Sequence, residues 1–175
     1  MRTAEGRRLQ VAPGSLVVLL GASGSGKSTF ARRHFRATEV VSSDFCRALV
    51  GDDASDQATS KDAFELLRFI AGKRLQARRV TVVDATNVRE EDRSPLLTLA
   101  RADAAPAIAI VLDLPFDVCL ARNDGRGSES VPARVLREQV ADLREGLARL
   151  EAEGFGAVYV LSSSEVVDAA IVERA

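Results

Sequence analysis

Residues 21–28 read Gly-Ala-Ser-Gly-Ser-Gly-Lys-Ser, a G-x-x-x-x-G-K-S pattern directly after the apolar run Leu16 to Leu20 and before Thr29-Phe30-Ala31. Glycines at this spacing let successive backbone N–H groups turn inward around phosphate oxygens, and a helix starting there adds the positive end of its dipole. The pattern predicts a triphosphate cradle made of Gly21, Ser23, Gly24, Ser25, Gly26, Lys27, Ser28 and Thr29. Lys27 is expected at the β and γ phosphates and the Ser28 hydroxyl on Mg²⁺.

A cradle implies a nucleotide but not a reaction, so the remaining polar positions must supply it. Ser42-Ser43-Asp44 closes the second β-branched run, which places Asp44 at a strand carboxyl end beside the cradle. There its carboxylate could take the proton of an attacking hydroxyl, or equally serve as a helix N-cap. Arg47 follows three residues on and shares its face if a helix starts here, holding Asp44 ionised or gripping an acceptor phosphate. Asp84 ends the third run and is expected to hold Mg²⁺ through water, with Thr86 and Asn87 lining the acceptor pocket or forming a turn. Arg122 and Arg126 flank the start of a glycine-bearing loop and read either as lid residues over the transferring phosphoryl group or as surface arginines. Asp84 is followed by Ala85 and Asp113 by Leu114, with no adjacent acid to activate water, and no N-K-x-D or L-S-G-G-Q motif occurs. Transfer to an organic hydroxyl is favoured over hydrolysis.

These positions need a scaffold. Short apolar runs at residues 16–20, 39–41, 80–84, 107–112 and 157–161 alternate with helical stretches, the mark of a parallel sheet with crossover helices. The predicted fold is α/β, a P-loop phosphotransferase with a five-stranded parallel sheet, helices on both faces and a lid at about residues 122–131. Residues 62–77 carry Phe64, Leu67, Ile70, Ala71 and Leu75 at helical spacing, and residues 132–153 carry Leu136, Val140, Leu143, Leu147 and Leu150, stopped by Gly154. Residues 51–60 and 124–130 read as loops long enough to move.

With 175 residues, 46% hydrophobic and 28% charged, the chain fits one compact domain that needs no disulfide or metal to fold. A net charge of -1 excludes a strong global pull on nucleic acid or membrane, so anion binding must be local. Cys46 and Cys119 stand apart in apolar stretches and read as buried thiols of a cytoplasmic protein. The single His34, in an Arg-rich helix, is expected to be solvated, and it cannot complete a zinc set. Arg2, Arg7 and Arg8 before Val11 to Leu20 imitate a secretion signal, but Pro13 and Gly14 break the run. No apolar run reaches the length of a membrane span.

Taken together, residues 21–29, Ser42-Ser-Asp-Phe-Cys-Arg47, Asp84-Ala-Thr-Asn-Val88 and Arg122-Asn-x-x-Arg126 resemble the kinase module of bacterial polynucleotide kinase-phosphatase, in order and over most of the chain. Asp52-Asp53 to Gln57, Arg93 and Gly154-Phe-x-x-Val-Tyr-Val160 fit the same family. The resemblance implies transfer of the γ-phosphate of ATP or another NTP, with Mg²⁺ or Mn²⁺, to a 5′-hydroxyl end of RNA or DNA in repair. It implies Lys27 and Ser28 at phosphate and metal, Asp44 as general base and Arg47 on the first acceptor phosphate. Arg122 and Arg126 become lid residues, and Ser43, Gln57, Thr86, Asn87 and Arg93 join the substrate side. Residues 127–130, Gly-Ser-Glu-Ser, depart from the family, which often carries a further arginine there. No D-x-D-x-T phosphatase motif occurs, so the chain is expected to be an isolated kinase domain, the N-terminal module of a larger enzyme with phosphatase and adenylyltransferase domains. The alternatives are a small-metabolite or nucleoside kinase of this architecture, and an ATP-binding module without turnover.

Overall fold

The computed structural model describes residues 2–3, 8–127 and 130–174. Its elements run β1 (Arg2–Thr3), β2 (Arg8–Val11), β3 (Leu16–Leu20), α1 (Lys27–His34), β4 (Val40–Ser42), α2 (Ser43–Gly51), α3 (Ser60–Gln76), β5 (Thr81–Asp84) and α4 (Glu90–Ala102). They continue as β6 (Ala107–Leu112), α5 (Phe116–Asp124), α6 (Ala133–Gly146), α7 (Leu150–Glu153), β7 (Ala157–Leu161), α8 (Ser164–Ala169) and β8 (Ile171–Arg174).

The five expected strands form one parallel sheet in the order β7-β6-β3-β5-β4, and the two-residue β1 adds an edge beyond β7. β3 and β6 are buried along their whole length, as continuous apolar strands covered on both faces must be. Their alternation divides the core: Leu16, Val18 and Leu20 pack with Leu67 and Leu75 of α3 and Leu96 and Leu97 of α4. Val17 and Leu19 face Phe30 and Ala31 of α1 together with Leu9 and Val11. Chain order reverses at β3, which has β5 on one side and β6 on the other, so its carboxyl end opens a crevice.

Several boundaries differ from the expectation. β2 and β8 form a separate parallel pair, and Leu9 and Val11 of β2 cap the α1 face of the core. The run imitating a secretion signal is thus two strands separated by the Pro13–Gly14 turn, while Arg7 lies outside the described residues. The helix expected over 132–153 is broken: α6 stops at Gly146, Leu147–Arg149 form a 3-10 turn, and α7 ends at Gly154 with φ 120. Gly146 packs against the buried Arg93 guanidinium, which a Cβ there would meet at 3.4 Å. Residues 51–60 are not free: Gln57–Thr59 form a 3-10 turn, and Asp53 and Asp56 each accept a backbone N–H two residues on.

His34 is half-buried rather than solvated, its ring 4.4 Å from Phe30, and burial with the neighbouring Arg33 holds its pKa below the ordinary value. Cys46 and Cys119 are both buried free thiols. Among the described residues no helix is long and apolar enough to cross a membrane.

Candidate active site

The cradle forms because β3 runs straight into a turn that only glycine tolerates. Gly24 has φ 75, and a Cβ there would stand 2.2 Å from the Cys119 carbonyl oxygen, so the loop lies directly on the backbone of α5. Gly26, at φ 95, precedes α1, whose first residue is Lys27. Lys27 Nζ donates to the carbonyls of Gly21 at 2.8 Å and Ala22 at 2.9 Å. Burial pushes its pKa down to about 8, an effect the Asp84 carboxylate opposes and the Arg126 guanidinium reinforces.

Asp84 ends β5, between β3 and β4, where it is buried and accepts a hydrogen bond from the Ser28 side chain. Burial raises its pKa above the ordinary carboxylate value, while the Ser28 hydrogen bond and then Lys27 oppose the rise. A buried carboxylate and a hydroxyl at the cradle make an oxygen donor set suited to Mg²⁺, which takes one or two carboxylates together with phosphate and water. The turn behind is tied to the cradle, with the Gly21 N–H donating to Thr86 O at 3.0 Å and Asn87 Nδ2 donating to Leu19 O at 2.8 Å.

On the other side of the crevice, Ser42 caps α2 by accepting the Phe45 N–H at 3.4 Å, which leaves Asp44 in the first turn with a free role. Asp44 and Arg47 share a face as expected. Arg47 NH2 donates to Asp44 Oδ1, and its Nε donates to Ala54 O at 2.7 Å, which orients the guanidinium. Arg126 NH2 reaches Asp44 Oδ2 at 3.5 Å, which brings the segment after α5 to the start of α2. Arg122 reaches Ser164 Oγ at 3.0 Å and lies over Gly26, at the rim of the cradle.

Most expected site residues therefore converge. Ser23, Lys27, Ser28, Ser43, Asp44, Arg47, Gln57, Asp84, Thr86 and Arg126 line one cavity of about 470 Å³, whose lining also includes Phe64, Val131, Pro132 and Val135. A smaller pocket of about 260 Å³ lies between Gly26, Thr29, Arg33, Arg122, Ser164 and Val167. Two expected substrate contacts do not converge. Asn87 is 1% exposed and turned into the backbone. Arg93 is buried, with its guanidinium taken up by Glu153 at 2.5 and 2.7 Å and by Asn87 O at 3.0 Å, so it presents no donor to a ligand. Ser128 and Glu129, which carry the departure from the family pattern, lie outside the described residues. Gln139 was not anticipated: from α6 its Oε1 accepts the Ser23 N–H at 2.9 Å, and it lines the same cavity. Helical spacing alone gave no sign of this contact, because Gln139 sits one residue from the apolar stripe.

The fold and this site define an ATP-binding P-loop phosphotransferase of the small-kinase class. The chain belongs to the AAA domain family, whose model matches residues 16–150. It is 25% identical to a chain of the Pnkp1/Rnl/Hen1 RNA repair complex, with a TM-score of 0.67 over 79% of this chain. It spans 47% of that longer chain, about half its length. The fold is also that of a gluconokinase from Sinorhizobium meliloti, at 18% identity and TM-score 0.55 over 92% of this chain and 91% of that one. An APS kinase from Mycobacterium tuberculosis bound to AMPPNP and APS shares it at 18% identity and TM-score 0.55, over 91% and 98% of the two chains. No protein of curated function matches the chain in sequence.

Proposed function

We propose that the protein is a polynucleotide 5′-hydroxyl kinase, moving the γ-phosphate of ATP to the 5′-OH end of RNA or DNA. The observation that carries this reading is the composition of the acceptor cavity. Asp44 stands beside an oriented guanidinium, Arg47, in a cavity whose lining also includes Phe64, Val131, Pro132 and Val135. That arrangement suits a nucleoside with a single following phosphate: the sugar hydroxyl to Asp44, the phosphate to Arg47, the base and sugar faces against the apolar side chains. The near-neutral charge is compatible, since gripping one end needs few phosphate contacts and a shallow salt dependence.

In the reaction, Asp44 accepts the 5′-OH proton as the oxygen attacks the γ-phosphorus in line, and the bond from that phosphorus to the β–γ bridging oxygen breaks to release ADP. Lys27 and the cradle amides hold the β and γ phosphates, and Arg126 leaves Asp44 to neutralise the transferring group. Ser28 and Asp84 would hold Mg²⁺ or Mn²⁺, which supplies charge neutralisation of the phosphates. The pocket beside Arg122 and Ser164 is where the donor base would lie. Asp44 lines the same cavity as Lys27 and Ser28, which supports turnover over ATP binding alone. The half-length match to the repair-complex chain is in keeping with a longer polypeptide, on which the family resemblance implies phosphatase and adenylyltransferase domains.

The test compares a 5′-OH dinucleoside monophosphate with the free nucleoside. The first has the lower KM, and Arg47→Ala erases the difference. Equal KM values in the wild type would overturn the reading. Phosphorylation of gluconate or another small alcohol with neither nucleic-acid acceptor used would favour the metabolite-kinase reading, which the likeness over nearly the full lengths of the gluconokinase and APS kinase chains keeps in view.

A further inference from the structure

Asn123 is a buried polar side chain for which the transfer chemistry has no use. It lies on α5 between the exposed Arg122 and Asp124, yet it is itself 1% exposed, beside the small apolar cluster of Ala22, Leu114, Cys119, Leu136 and Val140. An amide in such a place costs stability unless both its ends are paired. Both are. Nδ2 donates to the Val131 carbonyl at 2.9 Å and Oδ1 accepts the Val131 N–H at 3.0 Å, so one side chain satisfies a whole peptide position as a neighbouring strand would.

The consequence is positional. The Asn123 backbone carbonyl also accepts the Arg126 N–H at 3.0 Å, and the Asn123 backbone nitrogen lies 3.1 Å from where a Cβ of Gly24 would stand. A single residue thus touches the start of the arginine-bearing loop, its end at Val131, the backbone of Arg126 and the floor of the phosphate cradle. Without these bonds Arg126 would be held only by the chain that follows α5, and the Asn123 staple leaves it few positions.

We infer that Asn123 is a positioning residue for phosphoryl transfer: its carboxamide pins Val131 to α5 and fixes Arg126 relative to the cradle. The inference rests on the kinase reading above. A misplacement of about 1 Å costs up to about 10²-fold in rate, and an arginine on the transferring group contributes about 10³- to 10⁵-fold. Asn123→Ala is therefore expected to lower kcat about 10- to 10²-fold with the KM for ATP changed less than about threefold. Asn123→Asp keeps the acceptor for the Val131 N–H and loses the donor, so its kcat falls between the two.

A double-mutant cycle with Arg126→Ala separates positioning from folding. Acting through Arg126, Asn123→Ala costs less than about threefold further in the Arg126→Ala background. An equal fold loss in both backgrounds, or an unchanged kcat in the single variant, overturns the inference. Trypsin supplies a substrate-free readout on the intact protein: cleavage after Arg126 is slow in the wild type and at least about tenfold faster in Asn123→Asp, and equal rates also overturn it. If the wild type transfers phosphate to no 5′-OH acceptor, the kinase reading fails by itself, and the cycle is then read on phosphate release from ATP to water.

Discussion

Arg93 separates a structural role from a substrate role most sharply. Its side chain is 1% exposed and that of Glu153 is 5% exposed, and the two form a bidentate ion pair between α4 and α7. Breaking a buried pair from one side leaves an uncompensated charge and costs about 3–5 kcal/mol, whereas replacing both partners by apolar residues is often close to neutral. Arg93→Met is thus expected to destabilise by about 3–5 kcal/mol, a fall of about 6–20 °C in Tm for a domain of this size. Arg93→Met with Glu153→Leu should recover most of that loss, short of about 1 kcal/mol for the Asn87 carbonyl that loses its donor. Urea denaturation of the wild type, the single variant and the double variant measures both numbers. Acceptor KM in the double variant stays within about twofold of wild type, because the arginine faces Glu153 and not the cavity. A loss below about 1 kcal/mol in the single variant would refute the reasoning, as would a stable double variant that no longer binds acceptor.

Asp84 has its pKa raised by burial, so it holds protons more tightly folded than unfolded, and its contribution to stability declines as pH climbs past the unfolded value. Asp84→Asn should raise Tm at neutral pH, with a smaller gain at pH about 4, while Mg²⁺-dependent transfer is lost; differential scanning calorimetry at both pH values checks the sign. Lys27 titrates at about 8 in the ligand-free protein, and bound phosphate keeps it charged. ATP affinity measured by calorimetry is therefore level with respect to this group below that pH and weakens above it, by up to about tenfold per unit. Gly24→Ala abolishes ATP binding, since its Cβ would collide with Cys119 O at 2.2 Å. Gly127→Ala, at φ +61 with nothing within 4 Å, costs only the strain of about 1–2 kcal/mol in a denaturation experiment.

The central sheet was legible because parallel strands covered on both faces leave continuous apolar runs, and all five stand within a residue or so of where those runs lie. The helix α4 was not: it opens on Glu90, Glu91 and Asp92 and contains Pro95, which masks the apolar spacing of Leu96, Leu97 and Ala100. The pair β2 and β8 left no continuous apolar run, because β2 alternates in burial, β8 has no fully buried residue, and the two draw their register from each other. Lys27, Ser28, Asp44, Arg47 and Asp84 could be read because each sits at or just beyond the carboxyl end of a strand, where the parallel topology sends its side chains to one crevice. Arg93 could not, since nothing local distinguishes an arginine with a distant carboxylate partner from one that meets a ligand. The same holds for Asn123 and Gln139, whose partners are backbone groups brought near by folding alone.

The most direct measurement is transfer of radiolabelled γ-phosphate from ATP to a 5′-OH oligonucleotide, RNA and DNA in parallel, with Mg²⁺ and with Mn²⁺. The expected result is label at the 5′ end, lost with Asp44→Asn while ATP affinity is retained, with less label on free nucleoside than on the oligonucleotide at equal subsaturating concentration and none on gluconate. Absence of label from every oligonucleotide with every metal, or full activity of Asp44→Asn, would contradict it.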